Sequence, residues 1–175
     1  MHAVLGVAAY ESGARAPNIS TLERLLCACD HEVELVARPK TRRGATALGG
    51  LASAIRTDLD GPLDGGGEQA ALRLLFGFAD DFRGSTRPGR IALIEADPPP
   101  TGDARFDAAL AGMAEFFARE AGIAPPGWVN ALPRIVEPWW FVASRQAFHA
   151  YTLANTPAVF MRHGVFIARE VFDRA

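Results

Sequence analysis

The sequence predicts a mostly α-helical protein, in which a helical C-terminal domain follows a partial helix-turn-helix and a short β-strand. Hydrophobic residues make up 49% of the chain and charged residues 22%, which predicts a packed core and excludes wholesale disorder. Apolar residues recur at helical spacing in several segments, whereas the extended segments are short. We therefore expect a helix-turn-helix remnant with a strand over 1–38, a linker or mobile loop over 39–66, and the helical domain over 67–175.

The first predicted helix lies in the N-terminal region. Its apolar residues fall at helical spacing: Ile19, Leu22, Leu25, Leu26 and Cys29. Asn18 or Ser20 can cap its N-terminus, and Ser20 with Glu23 fits a capping box. The alternation of polar and apolar residues over 32–38 then predicts a short strand, which Pro39 ends.

The predicted linker contains a run of Gly, Pro and Asp residues between positions 57 and 67. These residue types favour turns and interrupt helices, so the run predicts a connection rather than a packed element. Upstream of the run, residues 49–58 fit a short helix.

Two apolar stripes predict long helices in the C-terminal domain. The first stripe comprises Leu72, Leu75, Phe76, Ala79 and Phe82, and the second comprises Phe106, Leu110, Met113 and Phe117. Asp103 lies near the start of the second helix, where a carboxylate interacts favourably with the helix dipole. Between the stripes, residues 91–95 fit either a helix or a strand, and the prolines at 98–100 end this segment.

The last part of the chain predicts shorter elements. Residues 145–154 fit a helix. Thr156 and Pro157 fit the N-cap and the first position of a further helix that ends at Gly164. An extended piece over 165–167 and a terminal turn or helix follow.

Composition and charge exclude several classes of protein. The formal net charge of −2 gives no global basic field that would recruit nucleic acid. No apolar run reaches the roughly 18–20 residues of a membrane span. The N-terminus also lacks the pattern of an export signal, so we expect a cytoplasmic protein without a membrane partner.

The two cysteines, Cys27 and Cys29, are predicted to be free thiols. Side chains two residues apart on a helix diverge, which excludes an ordinary disulfide between them. Together with His31 their spacing also suggests zinc, but no second pair of ligands accompanies them. We expect no metal and no cofactor.

The segments 10–17 (YESGARAP) and 19–26 (ISTLERLL) resemble the second half of a phage-repressor-type (XRE) helix-turn-helix domain. The resemblance covers about residues 5–38. It implies that the first segment ends the recognition helix and that the second closes the helical bundle, so this chain would begin at or inside the recognition helix. The groove-facing positions would then be Ala3, Val4, Gly6, Ala8 and Ala9. These side chains cannot make bidentate base contacts, so we expect weak, salt-sensitive DNA binding without sequence specificity.

A local basic run gives the candidate nucleic-acid residues Arg38, Lys40, Arg42 and Arg43. These side chains could contact phosphates beside a bound duplex. The alternative interpretation, which we prefer, is a solvated connector that Pro39 interrupts.

Five later segments are similar to actinobacterial proteins that carry an N-terminal helix-turn-helix. The similar segments are 94–103, 106–115, 126–129, 139–142 and 156–167. Such proteins look like antitoxins encoded beside nucleotidyltransferase-fold (AbiEii-like) toxins. The resemblance implies a toxin–antitoxin function: the chain would bind and neutralise a cognate toxin, with residual transcriptional autoregulation through the helix-turn-helix. It carries over no catalytic residues.

The candidate partner-binding residues are Trp139, Trp140, Arg162 and Phe166. Large aromatic residues mostly belong to the core, but consecutive ones cannot all face the same way, and a surface Trp is a favoured interface anchor. Arg162 is also explained by its position at a helix C-terminus. The apolar residues near the N-terminus need a cover as well, which the C-terminal domain, a second copy in a homodimer or a partner protein would supply.

The chain shows no sequence motif of an enzyme. Its four histidines are scattered, and the sequence contains none of the common phosphate-loop, nucleophile-elbow or zinc-protease motifs. His149 could meet Glu137 or Asp107 in space, but a structural histidine is the simpler interpretation. We therefore predict a non-enzymatic antitoxin-like protein. The alternatives are a transcriptional regulator with a small-molecule pocket within 106–166, and a hydrolase or transferase without a known motif.

Overall fold

A computed structural model describes residues 18–32, 34, 44–61 and 66–173. The chain divides into two compact units, residues 1–38 and residues 39–175. The described part is mostly α-helical and contains one pair of very short strands, which confirms the predicted fold class.

In the first unit, helix α1 spans Ile19–Cys27. The side chain of Asn18 caps it, because its Oδ1 accepts a hydrogen bond of 2.9 Å from the backbone N–H of Thr21. Most of the strand predicted over 32–38 lies outside the described residues, as do the basic residues Arg38, Lys40, Arg42 and Arg43.

The second unit contains six α-helices within its described part. They are α2 (Leu48–Leu59), α3 (Gly66–Arg83), α4 (Arg87–Ile94), α5 (Ala104–Glu120), α6 (His149–Asn155) and α7 (Ala158–Arg162). Single 3₁₀ turns at 127–130, 132–134, 146–148 and 169–171 connect or follow the later elements. Helix α5 lies at the centre, and all of its residues from Phe106 to Ala118 except Asp107 are buried.

The predicted linker over 39–66 is wrong where helix α2 lies. Four residues of α2 at helical spacing are buried and belong to the core: Leu48, Leu51, Ala52 and Ile55. Helix α2 packs against α3, and the short helix considered over 49–58 matches it closely. Burial of this apolar face outweighs the low helix propensity of the two glycines in its first turn.

Both helices predicted from apolar stripes are present. In α3, the stripe buries Leu75, Ala79 and Phe82. In α5, the whole predicted stripe is buried, and Asp103 caps the helix by accepting a 2.8 Å hydrogen bond from the backbone N–H of Arg105. The ambiguous segment over 91–95 is helical: it forms the end of helix α4 and its C-cap, Glu95, and the N-cap of this helix is Thr86.

A two-stranded parallel sheet joins two distant segments of the second unit. Strand β1 is Trp140–Phe141 and strand β2 is Val165–Phe166, with Trp140 opposite Val165. Backbone hydrogen bonds extend the pairing on both sides, from the N–H of Val136 to the carbonyl of His163 and from the N–H of Val142 to the carbonyl of Phe166. The extended piece predicted at 165–167 is therefore the second strand of this pair.

The connection between α6 and α7 differs in detail from the prediction. Thr156 does not cap α7, because its hydroxyl donates a 2.7 Å hydrogen bond to the carbonyl of Thr152 in the preceding helix. Gly164 follows α7 with φ of +73°, as expected for a residue just beyond a helix. A Cβ at this position would also lie 2.2 Å from the carbonyl oxygen of Val136, so close backbone packing requires glycine too.

Candidate functional site

A buried carboxylate with two arginines lies at the centre of the second unit. Glu115, on the buried helix α5, is 1% exposed. Its Oε1 accepts a hydrogen bond of 2.9 Å from Nε of Arg119, one turn later on the same helix. Its Oε2 accepts a hydrogen bond from Nη2 of Arg162 and lies 3.5 Å from Nε2 of His163. We call these four residues the Glu115 centre.

Close packing of α7 against α5 brings this centre together. Gly112 lies one turn before Glu115, and a Cβ there would lie 2.5 Å from the ring of Phe160. The absence of a side chain therefore lets the Phe160 ring approach the backbone of α5. Phe160 is completely buried. Arg162 is the last residue of the same helix, and His163 follows as its C-cap.

His163 connects the Glu115 centre to a second polar cluster. Its ring is buried, and its Nδ1 lies 2.8 Å from the backbone carbonyl of Arg134. Because a carbonyl only accepts, Nδ1 carries a hydrogen in this arrangement. The other ring nitrogen, Nε2, has no hydrogen-bond partner among the described atoms and faces Glu115. In the imidazolium form, Nε2 would present an N–H to the carboxylate.

Electrostatics keep Glu115 ionised. Burial raises the pKa of its carboxyl, but the hydrogen bonds from Arg119 and Arg162, together with their positive charges, bring it below the ordinary value. A concavity of about 270 Å³ opens at the centre and is lined by both arginines, by Glu115 and by the small residues Ala158 and Val159. The side chains of Arg119 and Arg162 are 62% and 53% exposed, respectively, so the cations face solvent while the anion is buried.

The second polar cluster surrounds a buried cation. The guanidinium of Arg134, 8% exposed, donates from Nη2 to the carboxylate of Asp97 and, at 2.6 Å, to the carbonyl of Pro98. It also stacks 5.1 Å from the ring centre of Trp128, and its Nη1 lies 3.8 Å from Asp107. Arg134 therefore fixes the proline segment after α4 onto the core, which is a structural role.

The two faces of the short sheet differ. Trp140 faces the core and is 8% exposed, with its ring 5.2 Å from that of Phe106. Its neighbour Trp139 is 65% exposed and rests against Phe166, at 5.1 Å between ring centres. Phe166 in turn stacks on Phe141 at 4.6 Å.

Of the four predicted partner-binding residues, two are buried and two are exposed. Trp140 and Phe166 are buried, so neither offers its side chain to a partner, and we remove both from the candidate surface. Trp140 is buried because side chains alternate between the two faces of a strand and this one faces the core. Phe166 is buried because Trp139 and Phe141 cover its ring. Trp139 and Arg162 are exposed, although Arg162 is bound to Glu115.

Near Trp139, sequence reasoning missed two exposed apolar residues. Leu132 is 84% exposed and Ile135 is 43% exposed, and a backbone hydrogen bond from the N–H of Ile135 to the carbonyl of Leu132 closes a turn between them. With Trp139 they place three large apolar side chains on what we call the 132–139 segment. In the sequence, the prolines at 133 and 138 are the feature that indicates this exposure. They keep the stretch out of a regular helix that could bury one face.

The histidine considered for catalysis lies elsewhere. His149 stacks on Phe141 at 4.2 Å between ring centres, and its Nε2 lies 3.0 Å from the carbonyl of Ala143. Asp107, one of its two suggested partners, instead accepts a hydrogen bond from the backbone N–H of Thr101. The histidine that does meet a carboxylate is His163, at Glu115.

The described ranges show neither a metal-binding cluster nor a membrane-spanning helix. They contain no cluster of three or more His, Cys, Asp or Glu side chains that could hold a metal ion, and both cysteines are exposed free thiols. No helix in these ranges has the length and hydropathy needed to cross a bilayer.

Comparisons with known protein families, with curated proteins and with solved structures found no match for this chain.

Proposed function

We propose that the chain is a non-enzymatic, antitoxin-like protein that binds and neutralises a nucleotidyltransferase-type toxin through the 132–139 segment. The observation that carries the proposal is the exposure of Leu132, Ile135 and Trp139 within eight residues. This segment lies between stretches of the sequence that resemble toxin-associated antitoxins. Three large apolar side chains exposed so close together in the sequence supply apolar surface that a partner protein would bury.

The local structure supports a preorganised anchor. Trp139 rests on Phe166, which is itself buried, so its ring is held by contacts already present in the free protein. A side chain that is already positioned loses less conformational entropy on binding, which favours affinity. Trp is also the residue type most enriched among the few positions that dominate binding energy.

The central test is coexpression with a nucleotidyltransferase-type toxin encoded next to this gene, followed by purification of the complex. Replacing Trp139 with Ala should weaken the complex by about 2 kcal/mol, or roughly 30-fold, because an interface anchor is lost. The same change should lower the free energy of unfolding by only about 1 kcal/mol, the scale of one aromatic pair. Titration calorimetry and urea denaturation measure the two quantities.

Two control variants separate binding from folding. Phe148 is 52% exposed but lies outside the segment, so Phe148→Ala should leave binding unchanged. Trp140→Ala should lower the free energy of unfolding by about 3–5 kcal/mol because it opens a cavity, and binding should fall only as far as folding does. If the wild-type chain does not bind the toxin, the proposed function is wrong. If Trp139→Ala binds as tightly as wild type, the choice of surface is wrong.

Residual autoregulation is the second part of the proposal. The basic residues predicted to contact DNA lie outside the described residues, and the expected binding is sequence-independent. A gel shift should therefore show binding that weakens steeply with salt and does not distinguish the operator from unrelated DNA. Tight operator-specific binding at physiological salt would contradict this expectation.

The alternative of a ligand-responsive regulator stays a prediction. The most apolar cavity described, between α3 and the residues that follow each strand, has a volume of about 240 Å³. Small-molecule sites usually measure roughly 300–1,000 Å³. The volume of this one apolar cavity therefore does not favour the alternative over a protein partner.

A further inference from the structure

The ion pairs of the second unit differ in their balance of charge. In three clusters, one arginine faces two carboxylates. Arg83 pairs with Glu120 and Asp173, Arg105 with Asp103 and Glu68, and Arg134 with Asp97 and Asp107. Among the described ion pairs, the Glu115 centre is the one at which a single carboxylate faces two arginines. Positive charge is therefore in excess there, before any charge on His163 is counted.

The excess charge is held in place. Arg119 and Arg162 bind the two different oxygens of one buried carboxylate, so their guanidinium groups lie close together. If either cation moves away, the buried carboxylate loses the hydrogen bond to one of its two oxygens, which costs stability. Two arginines that would repel each other in a free surface cluster are thus kept side by side.

Arg119 and Arg162 have N–H donors that are not used in their hydrogen bonds to Glu115. Each guanidinium carries five N–H groups. Arg119 uses Nε and Nη2 on Glu115, and Arg162 uses Nη2, which leaves Nη1 of both and Nε of Arg162 without a described acceptor. Both side chains are more than half exposed and line the 270 Å³ concavity. That volume is far above the roughly 30 Å³ that one water molecule occupies in the liquid, so the site has room for a small anionic group.

We propose that Arg119 and Arg162 form a binding site for the phosphate group of a small ligand, with Glu115 as the residue that positions both arginines. A phosphate group offers three acceptor oxygens and close to two negative charges at neutral pH, whereas a carboxylate offers two oxygens and one charge. The phosphate therefore matches the donors and the charge of two guanidinium groups better. Ala158 and Val159 present only small apolar side chains, which leave the concavity open beside the arginines.

The test is an NMR titration of the full chain with inorganic phosphate at constant ionic strength and neutral pH. Saturable shifts are expected in the side-chain Nε–H signals of Arg119 and Arg162 and in the backbone amides of Ala158 and Val159. Sodium chloride at the same ionic strength should give no saturable shift, and acetate should bind at least several-fold more weakly than phosphate. Absence of saturation, or equal binding of acetate and phosphate, would overturn the proposal.

Variants localise the binding. Arg162→Ala should weaken phosphate binding at least tenfold, and Arg119→Ala serves the same purpose should the first variant fold poorly. The matched control is Arg56→Ala, which removes an arginine of similar exposure that pairs one-to-one with Asp60. Arg56→Ala should leave phosphate binding unchanged. If a folded Arg162→Ala or Arg119→Ala variant binds phosphate as wild type does, the site is not where we place it.

Discussion

Glu115 and Arg134 are both buried charged side chains, and His163 contacts or faces both of them, but their charges are neutralised in opposite ways. The buried cation Arg134 is surrounded by acceptors that fix it to the chain: Asp97, the Pro98 carbonyl and, farther away, Asp107. The buried anion Glu115 is neutralised by cations whose other sides face solvent.

The different surroundings of Arg134 and Glu115 show which of the two buried charges can contribute to ligand binding. A guanidinium enclosed by its own chain has a structural role, since the removal of Arg134 leaves the Pro98 carbonyl unpaired in the interior. A carboxylate that holds two exposed guanidiniums creates a surface with excess positive charge and free donors. Burial of one group thus organises the exposed groups around it.

The largest expected effect is on the enclosed cation. Arg134→Met should lower the free energy of unfolding by about 3–5 kcal/mol, because it removes one partner from a buried ionic network and leaves the Pro98 carbonyl unpaired. Urea denaturation measures this loss. Arg145→Met, at an exposed arginine, is the control and should stay within about 0.5 kcal/mol of wild type. A loss below about 1 kcal/mol for Arg134→Met would mean that water replaces the arginine and that the cluster is not closed.

A smaller effect is expected when one exposed cation is removed from Glu115. In Arg162→Ala, the carboxylate retains its hydrogen bonds from Arg119 and keeps His163 nearby. The expected loss is about 1–2 kcal/mol, the scale of one hydrogen bond to a charged group. Urea denaturation of Arg162→Ala and Arg134→Met under the same conditions compares their losses in the free energy of unfolding. Equal losses for the two variants would show that the Glu115 centre is as enclosed as the Arg134 cluster.

The smallest expected effect is the dependence of stability on pH. The pKa of Glu115 is lower in the folded protein than its ordinary value, so its ionised form stabilises the fold above the ordinary pKa. This contribution should disappear as pH falls through the folded-state pKa. Its size should be about 1 kcal/mol or less, because solvent screens the exposed arginines.

The measurement for this prediction is the free energy of unfolding from about pH 7 down to about pH 3, compared between wild type and Glu115→Gln. The pKa values of Asp103 and Glu120 are also lowered, but both residues are present in both proteins, so their contributions cancel in the difference. Wild type should lose its advantage over the variant at acidic pH. A difference that is constant with pH would show that Glu115 contributes through packing and not through its charge.

Periodicity predicted the long helices because burial of one face requires it. The stripes ending at Phe82 and Phe117 were predictable from residue spacing alone, and so was the position of Asp103 at the start of the second helix. The same helical spacing is present in the 39–66 region. There, Leu48, Leu51 and Ile55 have helical spacing, but neighbouring glycines and the breaker run suggested a linker.

The candidate sites were only partly predictable. That Trp139 and Trp140 face opposite ways follows from strand alternation, but which of them faces the core depends on how β1 lies on Phe106. Glu115 lies within a predicted helix, and nothing local distinguishes it from a surface glutamate. Its partner Arg162 lies 47 residues away and reaches it only through the packing of α7.

The sequence by itself determined the helical class, the two longest helices and the extended piece at 165–167, because local spacing and capping chemistry act within a few residues. Tertiary structure alone decided that α2 belongs to the core, that Trp139 is exposed while Trp140 is buried, and that Glu115 meets Arg162 and His163. These outcomes depend on which surfaces approach one another. In this chain that approach rests on two glycines, Gly112 against Phe160 and Gly164 against Val136. Contacts between segments so distant in sequence leave no periodic pattern, so only the folded chain reveals them.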